Sequence, residues 1–278
     1  MKSIMREFAD ILENLRTAPR LLFLSDFDGT LTPIVEKPEL ASISEDVRIL
    51  LRRLADCPRV TVGIVSGRGL NDLKEMVKLD GLVYAGNHGF EIEGPGLNFV
   101  NPIAAQIRPA VRAVARILTL ALGSLKGVFV EDKGITLSVH YRLAEENAAH
   151  EVQKIVERAV NISHFYGLFR ITAGKKVLEL RPALAWDKGK AVRLLMKRYG
   201  SGGRRSGLVP IYLGDDLTDE DAFEMISKYG RGLSVHVGEP PIQSAADYYL
   251  ESTSEVATFL DRLVEGRSEQ AAGFALES

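Results

Sequence analysis

Two aspartates separated by one residue follow an apolar segment near the start of the chain. Leu21–Leu24 is a run of four apolar residues, and Asp26 and Asp28 come after it, just before Gly29. An apolar run that ends at a glycine is typical of a buried strand, and alternation along a strand would point both carboxylates to one side. Like charges so close raise a carboxylate pKa unless a cation lies between them. The pair therefore predicts a divalent metal such as Mg²⁺, which prefers oxygen ligands.

An acidic surface turn is the alternative, because Asp, Gly and Thr are common turn residues. Polar segments flanked by glycine also follow three other predicted strands, at Ser66–Arg68, Gly86–Gly89 and Gly214–Asp219. Open parallel sheets bind ligands beyond the carboxyl ends of their strands. Four such strand ends together favour one site at that edge of a sheet over four unrelated turns.

Composition restricts the class of protein. The chain has 278 residues, of which 46% are hydrophobic and 26% charged, and its formal net charge is −2. These values indicate a soluble globular protein without an electrostatic footprint for nucleic acid or for a membrane. The single cysteine, Cys57, is interpreted as a small buried residue. With no signal-peptide pattern and no apolar run of spanning length, we expect a cytoplasmic protein, and we expect a monomer.

The order of elements predicts an α/β fold: a Rossmann-like parallel-sheet core with an inserted α+β domain. Strands alternate with helices from Leu21 to Gly89, with strands expected at 21–26, 60–65 and 82–85. The same alternation returns from about Lys188, with a strand expected at 208–213, so residues 1–102 and 184–265 are assigned to one core domain. Residues 103–183 instead predict a helix over 103–121, a hairpin at 127–141, a helix over 143–160 and a second hairpin at 168–181 with its turn at Ala173–Lys175. Residues 200–207 are expected to form a surface loop, and 266–278 a flexible tail.

The strand-end residues could carry out phosphoryl transfer. Asp26 could attack phosphorus to form an acyl phosphate, and Asp28 could protonate the leaving oxygen and then activate water. Ser66 could hold phosphoryl oxygens, or be an ordinary turn residue. Lys188, which opens a helix after the predicted N-cap Asp187, could neutralise the phosphate, or be a solvated lysine of the first turn.

The metal site is predicted to use carboxylates from two strand ends. Asp215 completes the oxygen shell, with Asp216 and Asp219 as helpers. Asp219 and Asp221 could instead cap the following helix, with Thr218 as the N-cap residue. The predicted metal ligands are Asp26, Asp28, Asp215 and Asp216.

Four core motifs resemble those of the haloacid dehalogenase superfamily of phosphohydrolases. They are Asp26-Phe-Asp-Gly-Thr, Ser66-Gly-Arg, Lys188 and Gly214-Asp-Asp. Longer segments are similar to the trehalose-phosphatase family, notably Glu131-Asp-Lys-Gly, Ser138-Val-His-Tyr-Arg, Lys176-Val-Leu-Glu-Leu-Arg and Gly214-Asp-Asp-Leu-Thr-Asp-Glu-Asp-Ala-Phe. The resemblance runs from about Leu21 to Leu260. It implies a Mg²⁺-dependent hydrolysis of trehalose 6-phosphate, with the inserted domain as a mobile cap that closes over the core.

The same resemblance implies a set of residues that bind the sugar phosphate. Charged residues that share one face of a small sheet can bind disaccharide hydroxyls, although the same pattern also fits a solvated face with cross-strand ion pairs. The expected substrate-binding residues are Arg68, His88, Glu131, Lys133, His140, Arg142, Lys176, Glu179 and Arg181. His88 could equally shape its loop, and His140 could be structural. A phosphatase of sucrose 6-phosphate or mannosyl-3-phosphoglycerate, or a catalytically silent sugar-phosphate-binding module, remain the alternatives.

Overall fold

The chain folds into two compact units. A computed structural model describes residues 1–35, 38–145, 148–162, 164–200 and 207–276, with side chains as far as Ser268. The first unit combines Met1–Asn98 with Trp186–Ser278, and the second is Phe99–Ala185. The corresponding expectations were a boundary at 102/103 and another at 183/184. Most of the loop expected at 200–207 lies outside the described residues.

A nine-stranded sheet forms the centre of the first unit, counted over the described residues. Its strand order is β1-β13-β12-β11-β2-β3-β4-β5-β6, and pairing is parallel from β1 to β4. The strands are β1 Lys2–Ser3, β2 Arg20–Ser25, β3 Val60–Val65, β4 Val83–Gly86, β5 Glu91–Gly94, β6 Leu97–Val100, β11 Leu208–Gly214, β12 Leu233–Val237 and β13 Tyr248–Leu250. The expected α/β core is therefore confirmed, with both halves of the chain in one sheet.

β2 and β11 are neighbours at the middle of this sheet because both are apolar on both faces. Leu21 to Leu24 of β2 are each at most 1% exposed, and β11 pairs with β2 from Leu208 to Leu213. Strands buried on both faces are characteristic of parallel sheets covered by helices. The carboxyl ends of β2 and β11 consequently lie side by side, and the acidic segments follow there.

Helices cover both faces of the sheet. They are α1 Phe8–Arg16, α2 Glu45–Asp56, α3 Leu70–Val77, α7 Lys188–Tyr199, α8 Glu220–Tyr229 and α9 Thr253–Leu276. Cys57 is buried just after α2, as expected. Within the described ranges, no helix has both the length and the apolar character needed to cross a membrane.

The expected tail from Gly266 differs from the structure, in which α9 continues to Leu276. Arg267 is only 5% exposed. Its guanidinium donates hydrogen bonds to the carbonyls of Leu15, Arg16 and Ala18, at 2.9–3.2 Å, and to that of Pro58 at 3.0 Å. This arginine satisfies carbonyls that the end of α1 leaves without helical partners, so the last helix is tied to the first.

The N-terminal elements β1 and α1 were not predicted, and neither were β5 and β6, the last two strands at one side of the sheet. β1 has only two residues, which is too short for a period-two pattern. α1 is amphipathic, with Phe8, Ile11 and Leu15 buried at helical spacing. Charged residues between these apolar positions interrupt the pattern in the sequence, so no helix was expected there.

The second unit is a four-stranded antiparallel sheet with helices on one face. The strand order is β7-β8-β10-β9. Its elements are α4 Pro102–Gln106, α5 Arg108–Leu122, β7 Phe129–Asp132, β8 Leu137–His140, α6 Ala148–Val160, β9 Phe169–Gly174 and β10 Val177–Pro182. Buried residues of α5, such as Val111, Val114 and Leu118, pack with Leu137 and Leu180 of the sheet.

Two details of this unit differ from the expectation. The helix predicted over 103–121 is divided at Ile107, because Pro109, in the first turn of the second helix, lacks the N–H needed to continue the first. The second hairpin turns at Lys175 and Lys176 rather than at Ala173–Lys175, since Gly174 still pairs with Val177. Lys176 has φ +61° and takes the left-handed conformation that the turn requires.

Candidate active site

A buried lysine joins two carboxylates at the carboxyl ends of β2 and β11. Lys188 Nζ lies 2.9 Å from Asp26 Oδ1 and 2.7 Å from Asp219 Oδ1. The side chains of the three residues are 3%, 7% and 0% exposed. The helix that carries Lys188 begins as expected, because the N-cap Asp187 accepts a hydrogen bond from the backbone N–H of Lys190 at 2.8 Å. Burial excludes the alternative of a solvated lysine.

Burial sets the protonation equilibria of this cluster. Desolvation raises the pKa of Asp26 well above its ordinary value, Lys188 opposes the rise, and Asp219 and Asp215 add to it. For Lys188, desolvation works to lower the pKa, but attraction to Asp219 and Asp26 outweighs it, so the pKa is raised. One ammonium among three carboxylates leaves an excess of negative charge in a buried place. A cation would relieve that excess.

The carboxylates of Asp26, Asp215 and Asp219 could hold a metal ion, because each offers an oxygen within 4.8 Å of the others. The position of Asp215 requires a glycine at residue 29, because a β-carbon there would lie 2.1 Å from Asp215 Oδ2. The backbone φ of Gly29, +83°, also favours glycine. The donor set fits a hard divalent cation, which takes carboxylate oxygens and keeps waters. This trio shares Asp26 and Asp215 with the predicted metal ligands.

Asp28 and Asp216, the other two predicted metal ligands, have different partners. Both oxygens of Asp28 accept hydrogen bonds of 2.7 Å from Arg68, which also donates to Asp72 at 3.1 Å. Asp216 is exposed and accepts from the backbone N–H of Leu217. The structure thus places Asp28 in a bidentate ion pair and Asp216 in a helix cap.

Asp219, and not Asp216, is the buried aspartate of this segment that pairs with Lys188. The sequence offered it as a helper or as a helix cap after Thr218, but its side chain makes no cap to α8. The turn Leu217–Asp219 begins instead with Asp216 as N-cap residue, and Asp219 Oδ2 accepts from the N–H of Asp216 at 3.1 Å. Gly214 makes room, since a β-carbon there would lie 2.3 Å from Asp219 Cγ. The sequence feature that could have predicted the buried position of Asp219 is its spacing from Gly214.

The remaining core residues lie on the loops after β3 and β4. Ser66 is 1% exposed, and its Oγ accepts from the N–H of Arg68 at 3.2 Å. Its carbonyl accepts from the N–H of His88 at 2.8 Å. The His88 ring lies over Gly67, where a β-carbon would come within 2.7 Å of it. The two loops therefore brace each other next to the end of β2.

In the second unit, the sheet face opposite the helices is polar. Glu131, Ser138, Glu179 and Thr172 occupy one cross-strand row. Glu179 is 11% exposed, with Oε1 3.4 Å from Lys133 Nζ and Oε2 accepting from Arg181 Nε at 2.6 Å. This carboxylate lies between two cations and is too well covered to be a solvated surface residue.

A second carboxylate pairs with a histidine on the same face. His140 Nε2 lies 2.8 Å from Glu131 Oε2, and its ring stacks on Phe129 at 4.4 Å between centroids. Arg142 donates to the carbonyl of Lys175 at 3.1 Å, and Lys176 is exposed at the hairpin turn. The structure thus brings Glu131, His140, Lys133, Glu179 and Arg181 onto one face, with Arg142 and Lys176 at its edge.

Comparison with known proteins identifies the class. A haloacid dehalogenase-like hydrolase from Bacteroides thetaiotaomicron shares the fold, with a TM-score of 0.60 at 19% identity over 88% of this chain and 99% of that one. The trehalose-6-phosphate phosphatase C-terminal domain of C. albicans is similar at a TM-score of 0.76 and 25% identity, over 95% of this chain and 98% of that one. The fold is therefore the one shared by the haloacid dehalogenase-like hydrolase and the trehalose-6-phosphate phosphatase domain.

The chain belongs to the trehalose-phosphatase family. Residues 24–254 match the model of that family. Trehalose 6-phosphate phosphatase RA3 of Zea mays is 38% identical over 274 residues, which cover 94% of this chain and 74% of that protein. The protein is therefore an enzyme, a phosphoric monoester hydrolase, as its motifs indicated.

Proposed function

We propose that this enzyme hydrolyses trehalose 6-phosphate to trehalose and inorganic phosphate through an aspartyl-phosphate on Asp26, with Mg²⁺ as cofactor. The observation that carries the mechanism is the contact of 2.9 Å between the buried Asp26 carboxylate and Lys188. Family membership and the names of the relatives support the substrate. We further propose that the enzyme is a monomer.

Asp26 is the nucleophile. A carboxylate oxygen attacks phosphorus while the bond from phosphorus to the sugar oxygen breaks, and Asp28 gives that oxygen a proton. Asp28 then takes a proton from water, the water oxygen attacks phosphorus, and the bond to Asp26 breaks. The Lys188 ammonium and the Ser66 hydroxyl stabilise the phosphoryl oxygens.

Asp28 must leave Arg68 to act as an acid. Both of its oxygens accept hydrogen bonds from the guanidinium, so neither is free to face the leaving oxygen. At least one of these hydrogen bonds must break before Asp28 can hold a proton at the leaving oxygen. The substrate phosphate can replace Asp28 as the partner of Arg68, because it is also an anion.

The residues that would hold Mg²⁺ are Asp26, Asp215 and Asp219. When bound, the ion would supply positive charge to the transferring phosphoryl group. It would also lower the pKa of Asp26, so that a buried carboxylate is ionised and nucleophilic at neutral pH. Asp28 and Asp216, named from the sequence as ligands, are more consistent with acid–base and capping roles.

The polar face of the second unit recognises the sugar. Glu131 and Glu179 can accept hydrogen bonds from hydroxyls, while Lys133, His140 and Arg181 can donate to them. The ion pairs on this face hold the side chains in place before substrate arrives, which lowers the entropic cost of binding. We assign Arg142 and Lys176, at the edge, a weaker contribution.

The test is phosphate release from a panel of esters with Mg²⁺ and with EDTA. The panel contains trehalose 6-phosphate, sucrose 6-phosphate, glucose 6-phosphate and mannosyl-3-phosphoglycerate. We expect strong preference for trehalose 6-phosphate, lost with EDTA. Preference for another ester would overturn the substrate assignment, and no turnover of any would favour a silent binding module.

The covalent step has its own test. Asp26→Asn should abolish turnover, and intact-mass measurement after acid quench should detect a phosphate adduct in the wild type and none in the variant. Asp72→Asn is the matched control, because Asp72 is also paired to a cation, Arg68, but does not belong to the acidic trio. Activity of Asp26→Asn above a few per cent would contradict the mechanism.

A further inference from the structure

A tyrosine hydroxyl lies at the buried end of the Lys188 cluster. Tyr212, in β11, is fully buried, and its Oη donates a hydrogen bond of 2.6 Å to Asp219 Oδ1. Its ring packs edge-on against Phe223, with 5.8 Å between centroids. A carboxylate oxygen can only accept, so the tyrosine hydroxyl is the donor in this hydrogen bond.

The oxygens of Asp219 are almost fully used by protein donors. Oδ1 accepts from both Lys188 Nζ, at 2.7 Å, and Tyr212 Oη. Oδ2 accepts from the backbone N–H of Asp216 at 3.1 Å. An ionised carboxylate has about four acceptor positions, so about one remains, on Oδ2. Oδ1 therefore faces the lysine and the tyrosine, and Oδ2 is the oxygen available to a cation.

Lys188 is shared between two carboxylates that compete for it. Its ammonium is 2.7 Å from Asp219 and 2.9 Å from Asp26, and burial of all three side chains reduces the screening of both attractions. The Tyr212 hydroxyl offsets part of the negative charge on Asp219 Oδ1. Without it, the ammonium would be drawn toward Asp219 and away from Asp26.

We propose that Tyr212 is a positioning residue for phosphoryl transfer, acting through Asp219 to hold the Lys188 ammonium at Asp26. The proposal rests on the proposed function only in that Asp26 is the reacting group. It does not depend on which sugar carries the phosphate. Tyr212 has no contact with the reacting atoms and is not itself a catalytic residue.

Tyr212→Phe tests the proposal, because it removes one oxygen and keeps the ring packed on Phe223. Tyr84→Phe is the matched control: Tyr84 is also buried in the core sheet, and its Oη donates a bond of equal length, 2.6 Å, to the Leu79 carbonyl. Both variants lose a buried hydroxyl hydrogen bond, so a loss of activity through general destabilisation would affect both. Thermal unfolding followed by circular dichroism fixes an assay temperature at which both are folded.

The readout is kcat and KM, with Mg²⁺, on trehalose 6-phosphate and on p-nitrophenyl phosphate. We expect Tyr212→Phe to lower kcat about tenfold on both esters, with KM within about twofold. The variant loses the hydrogen bond to the charged Asp219, which lies near the reacting group and not at a site that binds the sugar. Tyr84→Phe should retain wild-type kcat. Equal effects of the two variants, or an unchanged kcat in Tyr212→Phe, would overturn the proposal.

The second ester separates this proposal from the proposed function. A wild type that turns over p-nitrophenyl phosphate but not trehalose 6-phosphate refutes the sugar assignment, and the comparison of the two variants still decides the role of Tyr212. A wild type inactive on both esters refutes the phosphatase and the positioning role together.

Discussion

Lys188→Met should destabilise the folded protein far more than the loss of an ordinary lysine. The substitution keeps the aliphatic chain and removes an ammonium that is 3% exposed between Asp26 and Asp219. Removing one partner of a buried ion pair costs about 3–5 kcal/mol, because the other charge is left uncompensated. That is a large share of the roughly 5–15 kcal/mol by which a domain is stable.

Lys190→Met is the matched control on the same helix. Lys190 Nζ pairs with Asp187 at 2.8 Å, but the lysine side chain is 42% exposed. Surface pairs of this kind contribute about 0–1 kcal/mol. Urea unfolding in EDTA at pH 7.5 should therefore give a difference of at least about 2 kcal/mol between the two variants. Equal losses would refute the inference that Lys188 balances buried charge.

The pH dependence gives a second check with a definite sign. The pKa of folded Lys188 lies above its ordinary value, so its stabilising contribution is complete at neutral pH. The pKa of folded Asp26 is raised by burial, and loss of the opposing lysine would raise it further. Ionisation of Asp26 then opposes folding as the pH rises above the pKa that Asp26 has in the unfolded chain, about 4. The loss in Lys188→Met should be larger at pH 8 than at pH 5, and Mg²⁺ should reduce it.

Two further predictions concern the sugar face and the last helix. Glu179→Gln removes the charge that holds Lys133 and Arg181, so KM for trehalose 6-phosphate should rise about tenfold or more. In the same variant, kcat/KM for p-nitrophenyl phosphate should stay within about twofold of the wild-type value. Equal losses on both esters would contradict a role in sugar recognition. Arg267→Ala removes hydrogen bonds to four carbonyls and should lower the free energy of unfolding by about 2 kcal/mol or more while leaving kcat unchanged, measured by urea titration and phosphate release. An unfolding midpoint equal to that of the wild type would show that this contact contributes nothing to stability.

The core sheet could be predicted because its strands carry strong local signals. β2, β3 and β11 are apolar runs bounded by glycine or by polar turns, and the structure confirms each to within a residue. Parallel pairing then follows from the helices between them. Strands β5 and β6 are four residues each and only partly buried, so they have no comparable pattern.

Side-chain partners could not be predicted at the same level. Asp26, Asp28, Asp215, Asp216 and Asp219 all follow strand ends, and the sequence does not say which of them turns inward. The choice depends on tertiary contacts: Arg68 engages Asp28, and the cavity beside Gly214 admits Asp219. The partner of Tyr212 could not be predicted for the same reason, because a tyrosine inside an apolar strand has the sequence pattern of an ordinary core residue.

The insertion of one unit within the other bears on the order in which the chain acquires structure. Phe99–Ala185 is contiguous, so every contact within it is available once that stretch has left the ribosome. The other unit cannot close its sheet until β11 has been made, because β11 pairs with β2 across an interval of more than 180 residues. Contacts so distant in sequence form late and slowly. We therefore expect Phe99–Ala185 to fold first, and Lys188 and Asp215 to meet Asp26 only when the final third of the polypeptide has been made.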